Sequence, residues 1–347
     1  MRRGTHVSNE SLPANLGWQP FFQQQLSLEE LETCLTARII EQHRNALIGA
    51  TSTCQLSIPV TSGMPPMTVG DWILLDTQQH FHRLLDRKSC FSRKAAGTRH
   101  VEQLIAANID TAFIVVSLND DFNLNRIERL LALTHEAGVT PVVVLSKADL
   151  CADPGAVRVQ VQALDPLLCL ATVNCLKSET LAELLPWCGS GDTLVMLGSS
   201  GSGKSTLTNT LMGAEIQATG SIREDDAKGR HTTSRRSLLQ LPGGAIVIDT
   251  PGMREIQLVD CENGVEQVFA DIAELAQSCR FNDCKHSSEP GCAVLNAIDD
   301  GGLDERRLRN YLKLSREEAR NTTTLAEQRA SNRARGRSEE HTSELQS

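Results

Sequence analysis

Hydrophobic and polar positions alternate differently in successive stretches of the chain, and each texture predicts a different kind of element. From Thr36 to Cys90 the apolar residues come in short runs, Ala37–Ile40, Ala46–Ala50, Cys54–Pro59 and Asp71–Leu75. Turn residues such as Ser62-Gly63-Met64-Pro65-Pro66 and Val69-Gly70-Asp71 separate them. Short alternating runs between turns predict strands, and about five of them predict a small β-barrel, of OB-fold or SH3-like type. From His100 the runs become nearly continuous. Thr111–Leu118 and Val139–Leu145 read as parallel strands buried on both faces, with Leu124, Ile127, Leu130, Leu131 and Leu133 at helical spacing between them. The alternation continues with a helix over Gly155–Leu164, a strand Cys169–Val173, a helix Glu179–Trp187, a strand Asp192–Leu197 and a helix Lys204–Met212. Ser237–Leu241 and Ala245–Ile248 then form a strand pair around Pro242-Gly243-Gly244. Strand–helix alternation of this kind predicts a parallel sheet with helices on both faces.

The expected organisation is therefore a polar extension over 1–35 with one short helix, a barrel over 36–95, an α/β domain over 100–260 and a helical region over 261–336. The last eleven residues, 337–347 (RSEEHTSELQS), read as the translation of a common short-read sequencing adapter and are set aside. The natural C-terminus is then expected to be truncated somewhere after Arg335. Composition narrows the classes further. With 40% hydrophobic and 22% charged residues the chain is ordinary for a folded globular protein. No apolar run reaches the ~18 residues of a membrane helix, and no signal-peptide pattern follows Met1. A cytoplasmic protein without membrane contact, and a monomer, is expected. The net charge of −9 conceals two basic runs, residues 83–99 and 304–337, each with a net of +5. These keep contact with RNA open.

Candidate chemistry begins at residue 198. Gly198-Ser199-Ser200-Gly201-Ser202-Gly203-Lys204-Ser205 fits G-x-x-x-x-G-K-[ST], directly after a predicted strand and before a predicted helix, with Thr206 next. The glycines let backbone N–H groups turn inward around phosphate, and the helix contributes its positive end. Lys204 would reach the β- and γ-phosphates, and the Ser205 hydroxyl would ligate Mg²⁺. The strand Ala245–Ile248 ends in Asp249-Thr250-Pro251-Gly252, a D-x-x-G sequence 45 residues after Lys204. Asp249 would hold Mg²⁺ through water, and the Gly252 N–H would sense the γ-phosphate. Ser146-Lys147-Ala148-Asp149, after Val142–Leu145, fits the guanine-reading [NT]-K-x-D with Ser in place of Asn. Asp149 would accept from the ring N1–H and exocyclic amine, and the Lys147 stem would lie over the ring. A further base-contacting turn is placed at Asn174-Cys175. These three sequences occur in a permuted order, which a compact domain tolerates because its termini lie close together. A transporter-type ATPase is the weaker reading, since no strand ending in Asp-Glu and no Leu-Ser-Gly-Gly-Gln sequence is present.

Cys279-x₄-Cys284-x-His286-x₅-Cys292 places three thiols and one imidazole in fourteen residues. Soft sulfur with one nitrogen in a closed set of four suits one tetrahedral, structural Zn²⁺. The other eight of the eleven cysteines are scattered singly.

With these motifs the chain resembles the bacterial circularly permuted ribosome-assembly GTPases called RsgA or YjeQ, over about residues 36–320. The resemblance also covers Gln103-Leu104-Ile105-Ala106-Ala107-Asn108-Ile109-Asp110. It implies an N-terminal OB-fold, a permuted GTPase domain and a C-terminal zinc domain. It further implies a factor that binds the small (30S) ribosomal subunit and its rRNA late in maturation, with GTP or GDP controlling release. Met253 stands where many GTPases carry the water-orienting Gln. By the same resemblance His231 takes over that role and Thr233 is the switch threonine. The rival reading is a GTP-responsive RNA-binding module without turnover.

Overall fold

The computed structural model describes residues 13–43, 45–94, 102–119, 121–213, 237–249 and 261–320. His231, Thr233, Gly252, Met253 and the segment 337–347 lie outside these residues, and Asp249 is described by its backbone. The chain divides into two compact units. One gathers Met1–Ser92, Leu104–Leu130 and Ala137–Glu255, and the other Arg93–Gln103, Leu131–Glu136 and Ile256–Ser347.

The first unit is organised by one sheet. Strands β1 (Leu35–Gln42), β2 (Ala46–Ala50), β3 (Gln55–Pro59), β4 (Trp72–Leu75) and β5 (Phe81–Leu84) are antiparallel, with β1 paired to both β2 and β4. Alternation along them sends Ala37, Ile39, Leu47, Ile58, Ile73 and Leu75 into one buried cluster. The opposite face, with Ile40, Trp72 and Leu74, meets the N-terminal residues and Leu238. Strands β6 (Cys90–Lys94) and β7 (Glu102–Ala107) form a separate pair.

Strands β8 (Thr111–Ser117), β9 (Thr140–Ser146), β10 (Cys169–Thr172), β11 (Thr193–Leu197) and β13 (Ile246–Asp249) pair in parallel in the order β10-β9-β8-β11-β13. Strand β12 (Ser237–Gln240) lies antiparallel to β13 and also pairs with β1 at Ser237↔Glu41. The parallel sheet and the antiparallel strands therefore share one ladder. Every residue of β8 and β11 is buried, as the continuous apolar runs predicted.

Helices α3 (Leu124–Glu136), α4 (Pro154–Gln162) and α5 (Lys204–Met212) follow β8, β9 and β11. The segment expected to be an α-helix over Glu179–Trp187 is instead a 3₁₀ run, Ser178–Trp187. Its apolar residues Leu181, Leu184 and Trp187 recur every third position, a spacing that three residues per turn align and 3.6 do not. Leu181 and Leu184 consequently join the core beneath the sheet.

The N-terminal stretch has more structure than one short helix. A 3₁₀ turn (Ala14–Leu16) leads to α1 (Pro20–Gln23) and α2 (Leu28–Thr33). Trp18 meets Trp72 edge-on with centroids 4.9 Å apart, and Phe22 lies 5.7 Å from Trp72. Ser27 and Glu30 form a capping box at the start of α2, and Glu30 also accepts from Arg83 Nε at 2.6 Å. The Arg83 hydrogen bond, with the cap, holds the Glu30 carboxyl down to about 2.

Arg38 of β1 is 1% exposed. Its guanidinium donates to Leu16 O at 2.5 Å, Thr193 Oγ1 at 2.9 Å, Asn108 O at 3.0 Å and Gly70 O at 3.3 Å, and it lies over the Trp72 ring. Burial lowers its pKa to about 10, against the opposing pull of Asp110 and Asp71, so it stays charged at neutral pH.

The second unit contains α6 (Glu262–Val268), α7 (Ala270–Ala276), α8 (Ala293–Asp299) and a final helix, α9, over 305–320. Phe269 is fully buried against Tyr311, and Arg307 lies 4.9 Å over the Phe269 ring while donating to Asp271 and Val268 O. Gly264 approaches the last turns of α3 so closely that a Cβ would stand 2.1 Å from Ala132 O. Among the described residues no helix is long and apolar enough to cross a membrane.

Replacing Arg38 by Leu takes the donor from Leu16 O, Asn108 O and Thr193 Oγ1 in a dry interior and should lower the unfolding free energy by about 3–5 kcal/mol. Arg83→Ala, which breaks a pair at the surface, should cost no more than about 1 kcal/mol. Denaturant unfolding of the two variants checks this, and equal losses would contradict it.

Candidate functional site

The phosphate loop occupies the turn from β11 to α5. Gly198, Gly201 and Gly203 all have positive φ, at 139°, 77° and 100°. At Gly198 a Cβ would lie 2.3 Å from Val115 O, so no other residue fits without displacing β8. The Lys204 ammonium folds back over the loop, donating to Gly198 O at 2.8 Å and to Ser199 O. It thus stands inside the ring of backbone amides where a phosphate group would sit.

The base-reading segment meets this loop directly. Ser117 and Ser146 face each other at the carboxyl ends of β8 and β9. The Ser146 hydroxyl donates to Ser202 O at 2.6 Å. A serine in place of Asn thus still bridges to the phosphate loop. Lys147 adopts a left-handed conformation, φ 57°, and begins the 3₁₀ turn Ala148–Leu150, which leaves Asp149 exposed. Cys175 completes the group. A Cβ on Gly203 would lie 3.6 Å from Ser146 Oγ and 3.7 Å from Cys175 Sγ. Thr210 of α5 donates to Cys175 O at 2.6 Å. Burial pushes the Cys175 thiol up to about 11, with Asp149 adding to the rise and Lys147 opposing it. The turn at Asn174-Cys175 is therefore beside both segments. Asp249 ends β13, whose Ile248 pairs with Val195 of β11, so its backbone stands at the same edge of the sheet as the phosphate loop.

The loop after β8 was missed in the sequence. Asp121 Oδ2 accepts from Ser199 Oγ at 2.7 Å and from Arg126 Nη1 at 2.7 Å. Its only prior sign was a polar stretch, Asn119 to Asn123, closing a buried strand at the level of the base-reading strand.

In the second unit Cys279, Cys284, His286 and Cys292 bring one ligand atom each within 4.8 Å of one another. Cys279 Sγ lies 3.8 Å from Cys292 Sγ, and His286 Nδ1 lies 3.3 Å from Cys292 Sγ. Thiolates ~2.3 Å from a tetrahedral ion stand ~3.8 Å apart, whereas a disulfide would bring them to ~2.05 Å. The cluster has the dimensions of a metal centre. Burial opposes the Cys279 thiolate, but the N–H groups of Ala293 and Val294 together with the Cys292 and Cys284 thiols outweigh it and its pKa is lowered. Glu289, also unmarked in the sequence, ties the loop by accepting from the N–H groups of Lys285, Ser287 and Ser288. The N–H groups of Ser288 and Ser287 foremost hold its carboxyl at about 2.

Among the described residues, several members of the two basic runs are paired within the fold. Arg83 binds Glu30, Arg87 binds the fully buried Asp71 at 2.7 Å, and Lys88 binds Asp110 at 2.8 Å. Arg307, within the second run, is 6% exposed and binds Asp271.

Comparison with known proteins points one way. Residues 84–259 match the family model described as RsgA GTPase. The chain is 58% identical over 333 residues to the small ribosomal subunit biogenesis GTPase RsgA 2 of Vibrio parahaemolyticus, covering 96% of this chain and 93% of the relative. It is 46% identical over 337 residues to the small ribosomal subunit biogenesis GTPase RsgA of Mesorhizobium japonicum, covering 95% and 96%. Its fold is similar to that of YjeQ from Thermotoga maritima, with TM-score 0.60, 22% identity and coverage of 81% and 97%. It is similar also to YloQ, described as a circularly permuted GTPase, with TM-score 0.56, 22% identity and coverage of 81% and 93%.

Ser202 Oγ is fully buried without a hydrogen-bond partner among the described residues. Deleting that hydroxyl removes an unsatisfied group whose burial costs ~1–3 kcal/mol. Ser202→Ala should therefore raise the melting temperature by a degree or more. A fall in Tm would mean the hydroxyl has a partner.

Proposed function

The chain belongs to the RsgA GTPase family, and from that premise we propose that it hydrolyses GTP in the biogenesis of the small ribosomal subunit. The observation that carries the site assignment is the Ser146–Ser202 hydrogen bond, which joins the base-reading segment to the phosphate loop in one cradle.

In this reading Gly198 to Gly203 wrap the β-phosphate with backbone amides, and Lys204 exchanges its loop carbonyls for β- and γ-phosphate oxygens. Ser205 and Asp249 would hold Mg²⁺, which supplies charge neutralisation on the phosphates when bound. Thr206 follows Ser205 in the first turn of α5 and completes the phosphate-binding run. Asp149 reads the guanine edge, Lys147 covers the ring, and Ser146 and Ala148 fix that turn. Thr233 and the Gly252 N–H report the γ-phosphate, and His231 orients the attacking water in place of the residue at Met253.

The antiparallel strands around Ala37, Ile39 and Ile73 are read as an OB-fold barrel over 36–95, preceding the GTPase domain over 100–260. The cluster in the 261–336 domain is read as one structural Zn²⁺ site, with all four donors from protein and no open position. The barrel and zinc domain would grip rRNA of the small subunit, with nucleotide state timing release. A cytoplasmic monomer follows from that role.

Turnover of GTP and ATP should be measured with and without mature small subunits. GTP alone should be hydrolysed, slowly by the isolated chain and faster on the subunit. Asp149→Asn should shift preference towards xanthine nucleotide. His231→Ala should cut stimulated kcat by ~10²-fold or more with GTP affinity unchanged. Equal ATP turnover, or no effect of the subunit, would sink the reading.

Metal analysis of protein purified without chelators should find one zinc per chain. Cys284→Ala should release it and unfold the second unit while GTP binding persists. A metal-free, folded second unit would refute the assignment.

A further inference from the structure

A carboxylate beside a phosphate-binding loop is an unfavourable neighbour for the ligand, because like charges repel, though only modestly where both face water. Asp121 is such a carboxylate. It receives the Ser199 hydroxyl of the phosphate loop and the Arg126 guanidinium on the same oxygen, each at 2.7 Å. Lys147 of the base-reading turn stands near enough that its charge, after the Arg126 and Ser199 hydrogen bonds, helps to lower the Asp121 carboxyl.

The pair with Arg126 adds little to the fold. Both side chains are about two-fifths exposed, at 41% and 42%, and exposed pairs of this kind contribute little. What the carboxylate does hold is Ser199. That residue is gripped on two sides, its carbonyl by Lys204 and its hydroxyl by Asp121. When Lys204 leaves Ser199 O for a phosphate, Asp121 remains as the side-chain contact on the outer limb of the loop, beside the Ser202 N–H that donates to Ser199 O at 3.4 Å.

We propose that Asp121 is a positioning residue for the nucleotide: it pins the phosphate loop through Ser199 next to the base-reading turn, with Arg126 cancelling the repulsion its charge would otherwise exert on phosphate. This rests on the reading of the site as a guanine-nucleotide cradle.

Binding of a fluorescent GDP analogue to the full chain tests it. Asp121→Ala and Ser199→Ala should each weaken GDP binding about tenfold. The double variant should be no weaker than the weaker single one, because both remove the same hydrogen bond. Arg126→Ala should weaken binding by leaving the carboxylate bare, and Asp121→Asn added to it should restore part of the loss. A merely structural role would not give that rescue. Melting temperatures without nucleotide should stay within about two degrees of the parent for all of them.

Unchanged GDP affinity in Asp121→Ala, additive losses in the double variant, no rescue by Asp121→Asn, or a large drop in nucleotide-free Tm would each overturn the proposal. The parent chain and Lys204→Ala separate this from failure of the site reading. If the parent does not bind GDP, the cradle itself is misassigned. If the parent binds and Lys204→Ala does not, the variants bear on Asp121 alone.

Discussion

A guanidinium buried without a counter-ion in direct contact needs a partner for each of its nitrogens, and Arg38 finds them in backbone and hydroxyl oxygens from four separate segments. Leu16 belongs to the N-terminal stretch, Gly70 to the turn before β4, Asn108 to the turn before β8, and Thr193 to the start of β11. Leaving any of them unpaired in the interior would be costly. The antiparallel strands and the parallel sheet are therefore held at one joint, at the end of β11 opposite the phosphate loop. Asn108 is itself in a left-handed conformation, and its side chain donates to Gly70 O, so the joint is reinforced by a second residue.

That joint matters because β12 belongs to both parts of the unit. It hydrogen-bonds to β13, which ends at Asp249, and to β1, which carries Arg38. Leu238 packs into the aromatic cluster of Trp18, Phe22 and Trp72, and Gln240 donates to Asn15 O. The strand between the two proposed switch sequences is thus also an edge of the antiparallel sheet. A strand bonded on both sides cannot shift without cost to either neighbour. The strand pairing thus joins the antiparallel strands to the strand that ends at Asp249 through backbone hydrogen bonds.

How far this was legible in the sequence depends on how local each feature is. The phosphate loop was readable because its conformation is encoded by residue type: Gly198 and Gly203 need a missing Cβ, and they announce it. The metal cluster was readable because its four ligands lie in one loop. The partners of Arg38 were not, since Thr193 is 155 positions away, nor was the Ser199–Asp121 contact across 78 positions. The pairing of some basic residues was hidden for the same reason. A charge total along the chain does not see that Arg87 ends on buried Asp71 or Arg307 on Asp271. The short N-terminal helices escaped because helices of four to six residues are formed by packing, here around Trp72, and carry no periodicity of their own.

The central claim is that the antiparallel strands and the nucleotide-binding sheet unfold as one body. Three tryptophans are present, and with Trp187→Phe only Trp72 of β4 and Trp18, packed edge-on against it, remain. Denaturant unfolding followed by their fluorescence should be measured without nucleotide and with GDP at about a hundred times its Kd. If the two parts are one cooperative unit, GDP stabilises the tryptophan transition by ~2.7 kcal/mol although the proposed site lies at the opposite end of β11 from Arg38. A tryptophan transition that GDP leaves in place would show that the antiparallel strands unfold on their own, and would contradict the account.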